Sequence, residues 1–177
     1  MKKFFLILTI FLIILSCRKS TVKTIVSPAF ELNKDSVTPE SLVNQILKDD
    51  EYKKWKFWPG HEGFNPGLTP HGKFHKIFVN DVIINALPIK DKIVPANGVI
   101  VKENYNADKE LLMLTIMAKV KDYNPQAGDW LWATYSFSDK SIGGGKIDKC
   151  INCHAAVKNN DYVIIQALDK ETEKNTY

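Results

Sequence analysis

The class of fold is decided by residues 111–120, which read Leu-Leu-Met-Leu-Thr-Ile-Met-Ala-Lys-Val. This stretch is apolar on both faces, which is typical of a strand buried within a sheet. Alternation at a period of two also marks three neighbouring stretches, Lys73 to Asn80, Gly98 to Glu103 and Trp130 to Tyr135. Four strands joined by short turns predict a mostly antiparallel sheet.

A few helices are expected beside this sheet. Thr38 is predicted as the N-cap of a helix that begins with a proline and runs to about Trp55. Residues 81–87 predict a second, short helix. The Gly- and Pro-rich residues 59–72 predict a loop without regular structure, and the three glycines at 143–145 predict a flexible connection. The expected fold is therefore α+β.

Length, charge and composition exclude several classes of protein. A chain of 177 residues that is 45% hydrophobic and 25% charged favours a single globular domain over a disordered chain or a polytopic membrane protein. The net charge of +4 gives no basis for binding nucleic acid. Three cysteines are too few for a disulfide scaffold, so their positions matter more than their number.

The first cysteine follows a sequence typical of export. Lys2 and Lys3 precede an apolar run, residues 4–15, that is too short for a stable membrane anchor. The run ends in Ser16-Cys17, which resembles the lipobox of bacterial lipoproteins, although an ordinary secretory signal with a chance cysteine remains an alternative. We predict a lipoprotein signal peptide at residues 1–16, with Cys17 lipidated.

Three parts of the chain follow from that interpretation. Residues 17–35 are predicted to be a lipidated tether, because their sequence is largely polar and has no periodicity. Residues 36–177 are then the folded domain. An acylated N-terminus holds a protein at a membrane surface, so the expected location is a bacterial membrane, facing the periplasm or the cell exterior.

The other two cysteines lie in Cys150-Ile151-Asn152-Cys153-His154. This C-x-x-C-H pattern is the attachment motif of c-type haem. Two thiols bond the two vinyl groups of haem, and the adjacent histidine is held under the iron as its proximal ligand. The motif predicts one covalently bound haem c, with Cys150, Cys153 and His154 holding it.

Three other interpretations of the motif stay open at this point. A zinc half-site would need two more ligands, and the remaining histidines, His61, His71 and His75, lie in another stretch without a second C-x-x-C. There, surface exposure is the default expectation for His61 and His71. A thioredoxin-like redox pair should open the helix of a βαβ unit. A structural lipoprotein without haem is the third alternative.

The set of motifs resembles the cytochrome P-460 family and its relatives, the beta class of cytochrome c prime. The resemblance implies a β-rich α+β fold, often a homodimer, with a haem pocket between the sheet and the C-terminal motif. It runs from about Trp55 to Leu168. The segments that carry it are residues 74–80, 98–103, 120–122 with 127–130, and 150–154 with 161–163.

The resemblance also implies roles for three residues. In cytochrome P-460 a lysine is crosslinked to the haem edge, and the resemblance places Lys102 at that position. Lys102 shares a strand face with Ile100, a predicted core residue. The alternative is that Lys102 is an ordinary surface lysine. The position of the family's distal carboxylate is occupied by Met117, which cannot act as a base. The alternative is that Met117 is an ordinary core residue. The distal arginine corresponds to His75, which is otherwise an exposed or core histidine.

These departures favour one function over another. Without a distal carboxylate, we expect a haem protein that binds a small neutral ligand such as nitric oxide, transfers electrons to a redox partner, or both. Hydroxylamine oxidation remains the alternative, because a match shifted by one residue would turn the opposite strand face to the haem. His75 is also a candidate general base near neutral pH.

Overall fold

A computed structural model describes residues 30–67, 70–89 and 92–164. The predicted signal peptide, the lipidation site Cys17 and the tether up to residue 29 lie outside the described residues, as do residues 165–177. No helix in the described ranges is long and apolar enough to cross a membrane.

The described chain forms one antiparallel sheet whose four long strands are those the alternation predicted. Its strand order is β1-β3-β4-β5-β6-β7, and β2 also pairs with β3. The strands are β1 (Lys56–Phe57), β2 (Asn65–Pro66), β3 (Phe74–Val79), β4 (Val99–Tyr105), β5 (Leu111–Lys119), β6 (Trp130–Ser136) and β7 (Ile142–Gly145).

Three strands were not predicted. Strands β1 and β2 have two residues each and pair with β3, so residues 59–72 are not wholly without regular structure. The glycines at 143–145 are not a flexible connection but part of the edge strand β7. They give no side-chain alternation to recognise, and a Cβ on Gly144 would come within 2.5 Å of the Pro39 side chain. The glycine therefore lets a helix lie close against this strand.

That helix is α1 (Pro39–Leu47), and its predicted start is confirmed. The Thr38 hydroxyl accepts a hydrogen bond from the Ser41 amide, and the Ser41 hydroxyl accepts one from the Thr38 amide. The prediction that it runs to Trp55 is wrong. A 3₁₀ segment follows at Lys48–Lys54, in which Asp49 and Asp50 have positive φ and break the helical path. The other helices are α2 (Asp81–Ala86) and α3 (Asp148–His154).

The two faces of the sheet support separate cores. On the first face, α1 packs through its buried residues Leu42, Val43 and Ile46 against the even-numbered side chains of β5. On the second face, α2, α3 and the segment after α3 cover odd-numbered side chains of β3 and β5 and even-numbered ones of β4 and β6. The second face therefore lies beside the C-x-x-C-H motif.

The folded body begins earlier than residue 36. Phe30 and Leu32, which lie in the predicted tether, pack against the first core. The Phe30 ring meets Trp55 edge to face at 5.9 Å, and the Leu32 amide donates to the Asn97 side chain. The predicted start of the folded domain is therefore too late. Two isolated apolar side chains in a polar stretch form no periodic pattern, so the sequence did not mark them as part of the core.

A buried ion pair ties the segment after α3 to the sheet. Lys119 at the end of β5 donates to both carboxylate oxygens of Asp161, and each side chain is 6% exposed. The same carboxylate accepts from the Val94 amide, and the Asp161 carbonyl accepts from the Trp130 indole. Four contacts therefore fix this turn of the chain, which follows the haem motif by seven residues.

We expect Asp161→Asn to destabilise the protein by about 3–5 kcal/mol, because it leaves the Lys119 ammonium buried without its counter-charge. The measurement is equilibrium unfolding in urea. Glu51→Gln, which breaks the exposed pair with Lys54, is the matched control and should leave the midpoint nearly unchanged. Equal midpoints for Asp161→Asn and the control would show that the buried pair is not a major restraint.

Candidate functional site

Helix α3 presents the C-x-x-C-H motif toward the second core. Cys150 and Cys153 stand three residues apart, so their side chains lie on one side of the helix, next to His154 at its last residue. Cys150 packs against the second core, and burial raises the pKa of its thiol, whereas Cys153 is exposed. Neither cysteine forms a disulfide.

The orientation of His154 is set by the chain that follows it. Its Nδ1 lies 2.7 Å from the Tyr162 carbonyl oxygen, which makes Nδ1 the protonated donor and leaves Nε2 with its lone pair. Burial lowers the pKa of His154, which favours the neutral ring that a metal ligand must have. Trp132 of β6 contacts the ring at a centroid distance of 4.6 Å.

The sheet beside His154 presents an apolar row. Ile100 of β4 pairs with Met117 of β5, which in turn pairs with Trp132 of β6, so the three side chains stand side by side on the second face. All three belong to the second core, and none is more than 9% exposed. Met117 therefore lies on the face that carries the motif.

Lys102 stands on the same face of the sheet, two residues after Ile100 in β4. Its strand neighbours are Ile77 and Thr115. Burial lowers the pKa of Lys102 to about 8, and its charge acts on His71, His75 and His154 by lowering their pKa values. A substantial fraction of a lysine with this pKa is neutral near pH 7.5, in contrast to a surface lysine.

Three further histidines surround this face. His75 of β3 is 6% exposed, and neither of its ring nitrogens has a hydrogen-bond partner among the described residues. Its ring stacks on that of His61 at 6.5 Å. Burial, aided by Lys102, lowers the pKa values of His75 and His71 to about 4. The expectation that His61 and His71 are exposed is wrong, since both are half-buried.

The long strands supply no carboxylate to this face. Glu103 is the one acidic residue in strands β3 to β6, and it points to the first face. There its carboxylate accepts hydrogen bonds from the hydroxyls of Tyr52 and Tyr105. Asp161 is held by Lys119. The wall formed by these strands is therefore apolar apart from lysine, histidine, amide and hydroxyl groups.

These residues fit a haem better than the other interpretations of the motif. His154 offers one nitrogen, the two cysteines share a helix face, and the Trp132 indole and His75 ring are buried polar groups without hydrogen-bond partners in the described ranges. Those ranges contain no cluster of three or more His, Cys, Asp or Glu side chains placed to hold a metal ion. A thioredoxin-like pair would need a βαβ unit, whereas this motif follows the antiparallel pair of β6 and β7, and no strand comes after it among the described residues.

An antiparallel sheet with a haem-binding motif packed on one face defines a β-rich haem protein. A profile of the family Cytochrome P460 matches residues 49–165, which is more than half of the chain. The chain belongs to the cytochrome P460 family, and its cofactor is accordingly a haem. A search of the curated proteins found no match.

The structure brings together most of the residues that the sequence singled out. Lys102, Met117 and His75 share the second face, and His154 lies against Trp132 on that face. His71, which was expected to be exposed, lies beside His154, with ring centroids 6.3 Å apart, a contact that the sequence did not predict. One feature of the sequence could have indicated that His71 belongs to the site: three of the four histidines fall within fifteen residues.

Acid should destabilise the protein through His75. Its native pKa of about 4 lies below the ordinary value of 6.5, so the unfolded chain takes up the proton first and the free energy of unfolding falls as the pH drops from about 6.5 to about 4. The contribution is at most about 3 kcal/mol. When urea unfolding is measured across this pH range, the free energy of unfolding of His75→Leu should fall less steeply with pH than that of the wild type. An unchanged slope would contradict a neutral buried His75.

Proposed function

We propose that this protein is an exported, membrane-anchored cytochrome with a single c-type haem. In this proposal it binds a small neutral ligand such as nitric oxide, transfers electrons, or does both. The observation that carries the proposal is the hydrogen bond from His154 Nδ1 to the Tyr162 carbonyl, next to two cysteines on the same helix and an apolar strand face. The haem supplies an iron that changes oxidation state and binds small ligands.

Each residue of the motif has a distinct task in this proposal. The thiols of Cys150 and Cys153 each add across a vinyl group, which forms a thioether and loses no atoms. His154 offers Nε2 to the iron, while the Tyr162 carbonyl holds the ring at a fixed angle and increases its basicity. Because Asp161 is anchored to Lys119, the carbonyl one residue later has little freedom to move.

The apolar row supports a neutral ligand. Ile100, Met117 and Trp132 offer a small charged species no compensation for lost hydration, whereas an uncharged diatomic molecule loses little on leaving water. A carboxylate base is also not supplied by strands β3 to β6. A match shifted by one residue would replace Met117 by Ile116 or Ala118, neither of which accepts a proton.

Export and anchoring complete the proposal. A lipidated Cys17 would hold the protein at a bacterial membrane, facing the periplasm or the cell exterior, where haem c is assembled. Electron transfer would use a separate redox protein as partner. Cys153 is exposed and α3 has no buried residue, which supports a haem edge that such a partner can approach. A second copy of the chain, as in the family's homodimers, is a further proposed partner.

The attachment is tested by the pyridine haemochrome spectrum and intact mass of protein made with a haem c maturation system. We expect one haem per chain, retained after denaturation, and a mass equal to the processed, lipidated polypeptide plus haem. Cys150→Ser and Cys153→Ser should each leave a single thioether, which shifts the haemochrome band, and the double variant should lose covalent haem. A wild-type protein without covalent haem would refute the proposal.

One observation favours the alternative, hydroxylamine oxidation with a lysine crosslinked to haem. The half-buried Lys102, with its pKa lowered to about 8, provides a partly neutral amine on the same face as His154. Joining its nitrogen to a haem carbon replaces one N–H and one C–H bond by a C–N bond. Two hydrogen atoms are lost, so the step requires a two-electron oxidant such as a peroxide.

The crosslink is tested by mass and by turnover. If it forms, the wild-type holoprotein should be lighter than polypeptide plus haem by two hydrogen atoms, and Lys102→Ala should restore the full mass and change the ferrous spectrum. Lys76→Ala, which alters a lysine on the opposite face of β3, is the matched control and should change neither. From the apolar wall we expect no sustained oxidation of hydroxylamine with an added oxidant, and sustained turnover would favour the alternative.

A further inference from the structure

His71 and His154 lie close together on the motif side of the sheet. Their ring centroids are 6.3 Å apart and their planes are perpendicular, at 89°. An imidazole nitrogen binds a first-row metal ion at about 2 Å, and the ring centre lies about 1 Å behind that nitrogen. Two imidazoles that bind one ion from opposite sides therefore have centroids about 6 Å apart. The observed centroid separation of 6.3 Å is close to that distance.

A second observation concerns the polar atoms of His71. Its Nδ1 is buried and has no hydrogen-bond partner among the described residues. Buried polar atoms without a partner are rare and call for an explanation, because desolvation without a compensating bond is costly. Coordination to a metal ion gives the ring a partner that the surrounding protein does not supply.

The short segment that carries His71 is fixed on both sides. Strand β2 pairs with β3, and the Gly67 amide donates to the Lys73 carbonyl, which closes the base of the loop. The Lys73 amide donates to the Tyr105 carbonyl. Gly72 has a φ of +79°, and a Cβ there would lie 2.6 Å from the Tyr105 carbonyl oxygen, so glycine is required next to His71.

Other candidates for the same role are less well placed. Met117 is packed between Ile100 and Trp132 in the sheet row, and the ring of His75 is stacked on His61.

We propose that His71 is the second axial ligand of the haem iron, opposite His154. This proposal rests on the proposed function, since it requires the haem at the motif. The resting protein is then six-coordinate, and an external ligand binds only when His71 leaves the iron. Such a centre favours electron transfer over catalysis at an open iron site. The affinity for an external ligand is reduced by the fraction of molecules in which His71 has dissociated.

The test uses the full holoprotein and compares His71→Ala with His75→Ala. Electron paramagnetic resonance and absorption spectra of the ferric wild type should be low-spin. His71→Ala should be high-spin, should return to low-spin with added imidazole, and should bind carbon monoxide in the ferrous state at least about tenfold faster. His75→Ala should stay low-spin. His71→Met, which keeps a ligand at the position, should remain six-coordinate if His71→Ala folds poorly.

Each of the other outcomes has a defined meaning. A high-spin wild type, a low-spin His71→Ala without imidazole, or a switch produced by His75→Ala instead would overturn the assignment of His71 while leaving the haem intact. A pyridine haemochrome that shows no covalent haem would remove the proposed function and this assignment together. The haem content of each variant therefore separates the two failures.

Discussion

The ion pair of Lys119 with Asp161 is the contact on which the arrangement of the site depends. Either charge alone would be costly at this depth, so the pair forms only when the end of β5 and the segment after α3 meet in one register. The Tyr162 carbonyl then stands under His154 and sets which ring nitrogen is available. A contact outside the motif thus fixes which ring nitrogen of His154 stays free.

The two faces of the sheet differ in how their polar groups are treated. On the first face Glu103 is buried with two tyrosine hydroxyls as donors, so its polar atoms are satisfied within the protein. On the second face the His75 ring and the Trp132 indole are buried without protein partners in the described ranges. In a haem protein, such groups are the ones expected to face the cofactor. The face with unsatisfied polar groups is the one that carries the C-x-x-C-H motif.

The sequence predicted those elements whose formation depends on neighbouring residues alone. Alternation located β3 to β6, and the capping residues located the start of α1. Strands β1 and β2 are too short to alternate, and the glycines of β7 have no side chains to do so. The position of His71 beside His154 depends on strand pairing and loop closure between segments about eighty residues apart. A pattern within one segment of the sequence cannot predict a contact between two segments that lie far apart in the chain.

Strands β3 to β7 follow one another in the sheet in the order in which they follow along the chain. The pairings from β4 to β7 therefore close loops of only five to ten residues, whereas β3 and β4 are joined by residues 80–98, which include α2. Proteins rich in such local contacts fold faster than those whose strands cross over. Among the described residues the C-x-x-C-H motif comes after the last strand, β7, so it emerges from synthesis behind a sheet that is already complete in sequence. The cofactor of this family therefore meets a chain whose binding face has begun to form, which makes contact with the haem a late event in folding.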